Sequence, residues 1–398
     1  MNKAALESLS AAALRGKRVF VRVDFNVPVK NGAVGDDTRI RAAVPTIRHL
    51  LKAGASCVLA SHLGRPKGQV KEEFRMAPVA ERLRSLLPGV PVIAVRDVVG
   101  PEAQAATAAL QPGQVLLLEN LRFEPGEEKN DPGLARALAD FGDVFVQDAF
   151  GTCHRAHAST AGVPAVMKPA VAGMLLAKEI AAFRLVMGAP QRPLMAVIGG
   201  AKVSDKILVL QHLVSKVDAI LIGGGMAYTF LKALGKPIGA SLCEDDRVET
   251  AREIIAAAAA RGIPLLLPSD HVCANRFAAD ATTQISVGGV PDGWMGLDLG
   301  PASRAEYAAR LKEAKTVVWN GPMGVFEMAP FAAGTLAVAH ALSESHCVSV
   351  VGGGDSVAAV MQAGVADRMT HVSTGGGAFL EMLEGAPMPG IEALDDVH

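Results

Sequence analysis

The five cysteines of this chain (Cys57, Cys153, Cys243, Cys273, Cys347) are odd in number and scattered, with no C-x-x-C pair. That excludes a disulfide framework and a cysteine zinc site. Charge of neither sign is in surplus: 39 Lys and Arg against 40 Asp and Glu leave a net charge of -1. The one-sided basic excess of a nucleic-acid binder is therefore missing, and local cationic clusters must serve a small ligand. Long apolar runs are missing too. Residues 254–260 are closed on both sides by Arg252 and Arg261, and residues 1–18 carry Glu7, Arg15 and Lys17 where a signal peptide would be apolar. A cytoplasmic chain with no membrane partner is expected. No fixed-period repeat stands out, and low complexity is confined to the alanines of 256–260. Neither G-x-x-x-x-G-K-[ST] nor G-x-G-x-x-G occurs.

What is present is length and alternation. At 398 residues, 50% of them hydrophobic, the chain exceeds what one core usually supports, and two domains are expected. Strand-length apolar runs at 18–27, 56–61, 91–95, 114–119 and 144–148 alternate with helical stretches such as 40–52 and 77–87. A second series at 194–198, 219–222, 264–267, 316–319, 347–351 and 370–373 repeats the pattern. Such alternation predicts an α/β fold of two Rossmann-like domains, each a mostly parallel sheet covered by helices on both faces. Residues 171–187 read as one helix with no strand, and serve as connector and hinge. The expected divisions are 1–172, a connecting helix 173–188, 189–380, and a final segment 381–398.

The two halves end their strands differently. In the first half the run-ends are polar: Asp24 and Asn26, His62 and Arg65, Arg122, and His154 with Arg155, with Arg39 close behind the first. In the second they are glycine-rich: Gly199-Gly200-Ala201-Lys202, residues 222–225, Gly352-Gly353-Gly354-Asp355-Ser356 and Thr374-Gly375-Gly376-Gly377. Ligands of open parallel sheets lie beyond the carboxyl ends of the strands. Guanidinium groups grip an anion by side chain, whereas glycines let bare N–H groups approach a phosphate. Two different anion sites follow. Lys202 and Lys206, four apart, would share a helix face and meet one phosphate tail if a helix begins there, although close packing explains the glycines of that turn equally well. Asp355 suits magnesium or an N-cap, and Ser356 also suits a cap. Glu327, after the Trp319-Asn320-Gly321-Pro322 turn, offers a carboxylate for ribose hydroxyls. With no nucleophile arrangement at these loops, the inventory fits direct phosphoryl transfer, and a carboxylate acceptor would need no catalytic base.

In this order, residues 22–28 (RVDFNVP), 61–66 (SHLGRP), 148–152 (DAFGT) with 154–157 (HRAH), 199–206 (GGAKVSDK), 319–324 (WNGPMG) and 352–356 (GGGDS) closely resemble the phosphoglycerate kinases. The resemblance runs from Arg18 to about Asp396. It implies a two-domain hinge enzyme, a monomer, that moves a phosphoryl group between 1,3-bisphosphoglycerate and Mg-ADP, giving 3-phosphoglycerate and ATP. It further implies that Asp24, Phe25, Asn26, Arg39, His62, Leu63, Gly64, Arg65, Arg122 and Arg155 bind the glycerate. Lys202, Lys206, Gly223, Gly224, Asn320, Glu327, Gly353, Gly354, Asp355 and Ser356 would hold the nucleotide, Asp355 the Mg2+, and Arg39, Lys202, Lys206, Gly375 and Gly376 would act on the transferring group. The tail from Pro389 to Leu394 resembles the segment that returns to the first domain. Gln147, Cys153 and Ser204 depart from the family's usual residues. A dinucleotide oxidoreductase is disfavoured by the missing fingerprint, and a silent nucleotide-binding module by the presence of Arg39 and Lys206.

Overall fold

The computed structural model describes residues 2–397 and divides into two compact units. One comprises the residues up to Ile180 with those from Pro387 onward, the other Ala181–Ala386. The divisions thus fall at Ile180 and Ala386, where the sequence reading placed them at 172, 188 and 380.

In the first unit the strands are β1 (Arg18–Arg22), β2 (Val29–Lys30), β3 (Ala33–Val34), β4 (Ser56–Ala60), β5 (Val92–Ala94), β6 (Val115–Leu117), β7 (Val144–Gln147) and β8 (Ala170–Ala172). Six of them form one parallel sheet in the order β5-β6-β4-β1-β7-β8. Alternate residues face opposite sides. Val19, Val21, Cys57, Leu59, Val115 and Leu117 pack with Ile40, Ile47, Leu50, Val79 and Leu83 of the helices Thr38–Lys52 and Ala77–Leu86. On the other face Phe20 and Phe145 stack at 6.1 Å, beside the equally buried Val58 and Leu116. Burial on both faces is why these strands read as unbroken apolar runs.

The second unit holds β9 (Leu194–Ile198), β10 (Ala219–Ile222), β11 (Leu265–Leu266), β12 (Asp270–Ala274), β13 (Thr283–Val287), β14 (Met295–Leu299), β15 (Thr316–Asn320), β16 (Val348–Val351) and β17 (His371–Val372). Its main sheet is parallel, ordered β11-β10-β9-β15-β16-β17, with Met195, Val197, Leu221, Val317 and Trp319 packed against Tyr307, Leu311, Val338 and Leu342.

Three features depart from the sequence reading. Residues 171–187 are not one helix: Ala170–Ala172 is a buried strand on β7, the helix is Met174–Phe183, and a wider turn, Arg184–Gly188, follows. A three-residue Ala/Val strand is too short to show a period of two. The unread stretch 270–299 forms a separate antiparallel sheet, β13-β12-β14. The β2–β3 hairpin turns on Asn31 and Gly32, both at positive φ (50° and 75°), an Asn-Gly signal the sequence offered openly.

Candidate active site

Parallel register carries the carboxyl ends of the first sheet to one edge: Arg22 lies opposite both Ala60 and Gln147, and Leu59 opposite Leu117. The loops leaving that edge are locked by their own polar groups. Phe25 N–H donates to Ser61 Oγ (2.8 Å), Gly64 N–H to Asn26 Oδ1 (2.9 Å) and Leu63 N–H to Asn120 Oδ1 (3.1 Å). Gly64 has φ +62°, and a Cβ there would lie 2.3 Å from the Phe74 ring, so only glycine fits. Phe25 and Leu63 bury their side chains in the core, leaving only backbone for a ligand.

Around these loops stand the cations. Arg39 Nη1 pairs with Asp24 Oδ2 at 2.9 Å, and Arg122 donates to Gly64 O at 2.8 Å with Glu128 Oε1 3.2 Å from its Nε. Arg155 Nε reaches His154 Nε2 at 2.8 Å, whereas Arg65 is exposed and makes no ion pair among the described residues. His62 is buried, and burial, then the charges of Arg22, Arg122 and Arg39, hold its pKa well below the ordinary imidazole range. The ring is neutral at physiological pH. Three guanidinium groups thus bear on one imidazole, and Arg155 bears on Arg122. At the same edge Gln147 Oε1 accepts from Ala149 N–H at 3.1 Å, while its buried Nε2 finds no partner among the described residues.

The second unit's edge is built the same way, with Ile198 opposite Ile222 and Asn320, and Val351 opposite Trp319 and Val372. Its glycines fall into two groups. A Cβ on Gly199 would sit 2.1 Å from Pro322 O, one on Gly224 2.5 Å from Gly200 O, and one on Gly223 2.5 Å from Met323 Sδ. These glycines let neighbouring backbones interleave, so close packing explains them. Gly354, Gly376 and Gly377 instead have no atom within 4 Å of the position a Cβ would take. With Lys206, Asn320, Gly321, Gly353, Asp355, Ser356 and Leu380 they line a hollow of about 220 Å³.

Lys206 does not share a helix face with Lys202: the helix is Ile207–Val214, Lys206 is its N-cap, and 203–206 form a turn closed by Lys206 N–H on Val203 O (2.8 Å). That turn directs Lys206 Nζ onto Asn320 Oδ1, whose amide nitrogen donates to Gly352 O at 2.8 Å, while Lys202 is exposed and outside the hollow. Burial lowers the Lys206 pKa, opposed by Asp205, Asp355 and Glu384. Neither Asp355 nor Ser356 caps the helix Gly354–Gln362: its N-cap is Gly353 at φ +93°, and Ser356 Oγ accepts from Gly321 N–H at 2.6 Å. Gly375 N–H donates to Ser373 Oγ (3.1 Å). Gly223, Gly224, Glu327 and Gly375 also lie outside the hollow. Sequence reasoning passed over Gly321, Gly377 and Leu380 as lining residues, although Gly321 sits in the Trp319-Asn320-Gly321-Pro322 turn and Gly377 in a glycine cluster that it had marked.

The family profile described as Phosphoglycerate kinase matches residues 9–386. The phosphoglycerate kinase of Herpetosiphon aurantiacus is 58% identical over 398 residues, 100% of each chain, and that of Moorella thermoacetica 59% identical over 390 residues, 98% of this chain and 99% of the other. Among solved structures, phosphoglycerate kinase from Coxiella burnetii superposes with a TM-score of 0.90 at 43% identity, and that from Pyrococcus horikoshii with 0.83 at 32%, each covering 98% of both chains. Likeness at this level, over the whole of both units, leaves one conclusion: the chain belongs to the phosphoglycerate kinase family.

Proposed function

We propose that this chain, a phosphotransferase by family, performs reversible in-line transfer of the acyl phosphoryl group of 1,3-bisphosphoglycerate to Mg-ADP, giving 3-phosphoglycerate and ATP. The observation that carries this reading is a pair of unlike cationic clusters, one at the sheet edge of each unit. One is made of guanidinium groups around a neutral imidazole, the other of a half-buried ammonium group beside glycines with open space around them. In the first, Asp24 and Asn26 suit the glycerate hydroxyl, while Arg39, Arg65, Arg122, Arg155 and His62 suit its carboxylate and phosphate. Phe25, Leu63 and Gly64 contribute backbone. Arg39 also steadies the phosphoryl group in flight. In the second, Lys206, Gly353, Gly354, Ser356 and Asn320 face the nucleotide phosphates, Gly375 and Gly376 the transferring group, Lys202 and Glu327 the outer edge, and Gly223 with Gly224 the base.

Asp355 fits a magnesium ligand. Its carboxylate is exposed at the hollow and makes no cap bond, and no group of three or more His, Cys, Asp or Glu among the described residues could cage an ion. Mg2+ typically takes one or two protein carboxylates and completes its shell with phosphate oxygens and water. Bound there, it would neutralise charge on the nucleotide phosphates. The protein needs no base, because the attacking oxygen is already ionised at neutral pH in either direction, a phosphate oxygen of ADP or the carboxylate of 3-phosphoglycerate. Nor does Cys153 supply a nucleophile, since burial pushes its thiol pKa up. In-line transfer requires reacting atoms about 3–3.5 Å apart, an arrangement worth roughly 7–11 kcal/mol of barrier. A hinge movement about the Met174–Phe183 helix completes the proposal. So do a monomeric, cytoplasmic state and the absence of a nucleic-acid partner. Among the described residues no helix is long and apolar enough to cross a membrane.

A coupled assay of ATP formation from 1,3-bisphosphoglycerate and Mg-ADP tests the reading. Arg39→Ala should lower kcat on the order of 10²-fold while leaving Mg-ADP affinity unchanged. An unaltered kcat would remove Arg39 from the reacting centre.

A further inference from the structure

Arg22, the last residue of β1, is 1% exposed and has no part in the chemistry above. Its guanidinium is gripped from several sides. Nε–H donates to Ser159 Oγ at 2.8 Å, and the Ser159 hydroxyl and amide donate in turn to the two oxygens of the buried Glu127 carboxylate at 2.5 and 3.0 Å. Nη1 donates to the Val23 carbonyl, and Nη2 lies 3.3 Å from Nδ1 of His62. A guanidinium offers five N–H donors and no acceptor. The contact with His62 therefore requires a bare Nδ1, which places the single ring proton on Nε2. That nitrogen has no hydrogen-bond partner among the described residues, yet it is not among their fully buried, unsatisfied atoms. It is the face of the ring open to a ligand.

We propose that Arg22 is a positioning residue: braced by Ser159 and Glu127, it holds His62 as the Nε2–H tautomer, so that the imidazole meets the glycerate anion as a neutral, oriented hydrogen-bond donor. The proposal deepens the reading of this edge as the glycerate site and rests on it for the identity of the ligand. Charged and titratable groups reach His62 from every side: Arg22 from β1, Arg39 from the helix Thr38–Lys52, Arg122 beyond β6 and His157 beyond β7. All are cationic or neutral, and His157 is itself pushed down to about 3 by burial and neighbouring cations. Glu127 bears on Arg22 and lies 4.0 Å from His157. The charged groups that bear most on His62 are cations, so the balance there is against a second ring proton.

Heteronuclear NMR of histidine-labelled, ligand-free full-length protein distinguishes protonated from bare ring nitrogens, with His62 assigned by the signal lost in His62→Gln. The wild type should show Nδ1 bare and no titration of His62 from about pH 5.5 to 7.5. In Arg22→Met the fixed Nε2–H preference should be lost, with a proton appearing on Nδ1 in part of the population, and KM for 3-phosphoglycerate should rise roughly tenfold or more, with kcat changing far less. Arg22→Lys, which keeps a donor, should recover part of the loss. Should Arg22→Met fail to fold, Ser159→Ala decides in the same terms. A proton on Nδ1 in the wild type, or a tautomer unmoved by the variant, would overturn the proposal whatever the activity. Were the tautomer as stated but 3-phosphoglycerate unbound, the role of Arg22 would stand and the functional reading of the edge would fall.

Discussion

Asp24 and Asp355 are both acids at strand ends, yet one is tied to Arg39 at 2.9 Å and the other has no hydrogen bond or ion pair among the described residues. On the proposed reading the paired carboxylate is held in place for a ligand's hydroxyl, whereas the unpaired one beside the glycine-lined hollow is available to a cation. Asp355→Ala should therefore abolish the Mg2+-dependent part of ADP affinity in calorimetry with and without chelator. Its unfolding midpoint should stay within about 0.5 kcal/mol of the parent, because no cap is lost. Equal Mg-ADP affinity in Asp355→Ala and the parent would return Asp355 to the surface. Single residues of this kind were legible in the sequence, since a polar side chain that closes an apolar run stands out at once. The brace behind His62 was not, because Ser159 lies 137 positions from Arg22 and 32 from Glu127, and only the folded chain brings them together.

Turns and caps, more than strands, separate what the sequence discloses from what it hides. The buried parallel strands were legible because both of their faces are apolar. The start of the helix at Ile207 was not, because the turn before it depends on Val203 and on contacts with Asn320 made through tertiary structure. Glycine clusters look alike in sequence and part company in space. Gly224→Ala, at φ +70° and against Gly200 and Pro322, should cost about 2–4 kcal/mol in urea unfolding. Gly354→Ala, with open space at a helix start, should instead stabilise by about 0.4–1 kcal/mol while weakening nucleotide binding. Asp148 gives its helix a pH dependence. Oδ1 accepts from Leu175 and Leu176 N–H at 3.0 and 3.4 Å, but burial outweighs these bonds and pushes the carboxyl up to about 7. Its folded pKa exceeds the unfolded value of about 3.9, so its stabilising share is full below about pH 4 and is lost as pH rises towards 7. Asp148→Asn should be more stable than the parent at pH 8, with the gap in urea midpoints closing as pH falls to 5. A gap that widens towards pH 5 would reverse the assignment.

At the scale of the whole molecule, the first unit is made of two stretches of chain and the second of one. The late stretch is fastened to the early one at many points. Gly390 N–H donates to Cys153 O (2.9 Å), Asp395 N–H to Ala170 O (2.8 Å) and Ala4 N–H to Asp395 O (2.8 Å), while Lys168 pairs with Asp395 at 2.6 Å. Met388, Ile391 and Leu394 are buried, and each such side chain contributes about 1.5–3 kcal/mol. Deleting residues 387–398 should lower the calorimetric transition of the first unit and spare Mg-ADP binding by the second. Loss of nucleotide binding instead would mean that the segment supports the other unit. Division into two parts was legible from length and alternation, but for this segment the expectation rested only on resemblance, because its few residues carry no period of their own. An interrupted unit also has a history during synthesis. The ribosome finishes all of the second unit before making the residues that complete the first, so the half that begins the protein is the last to be whole.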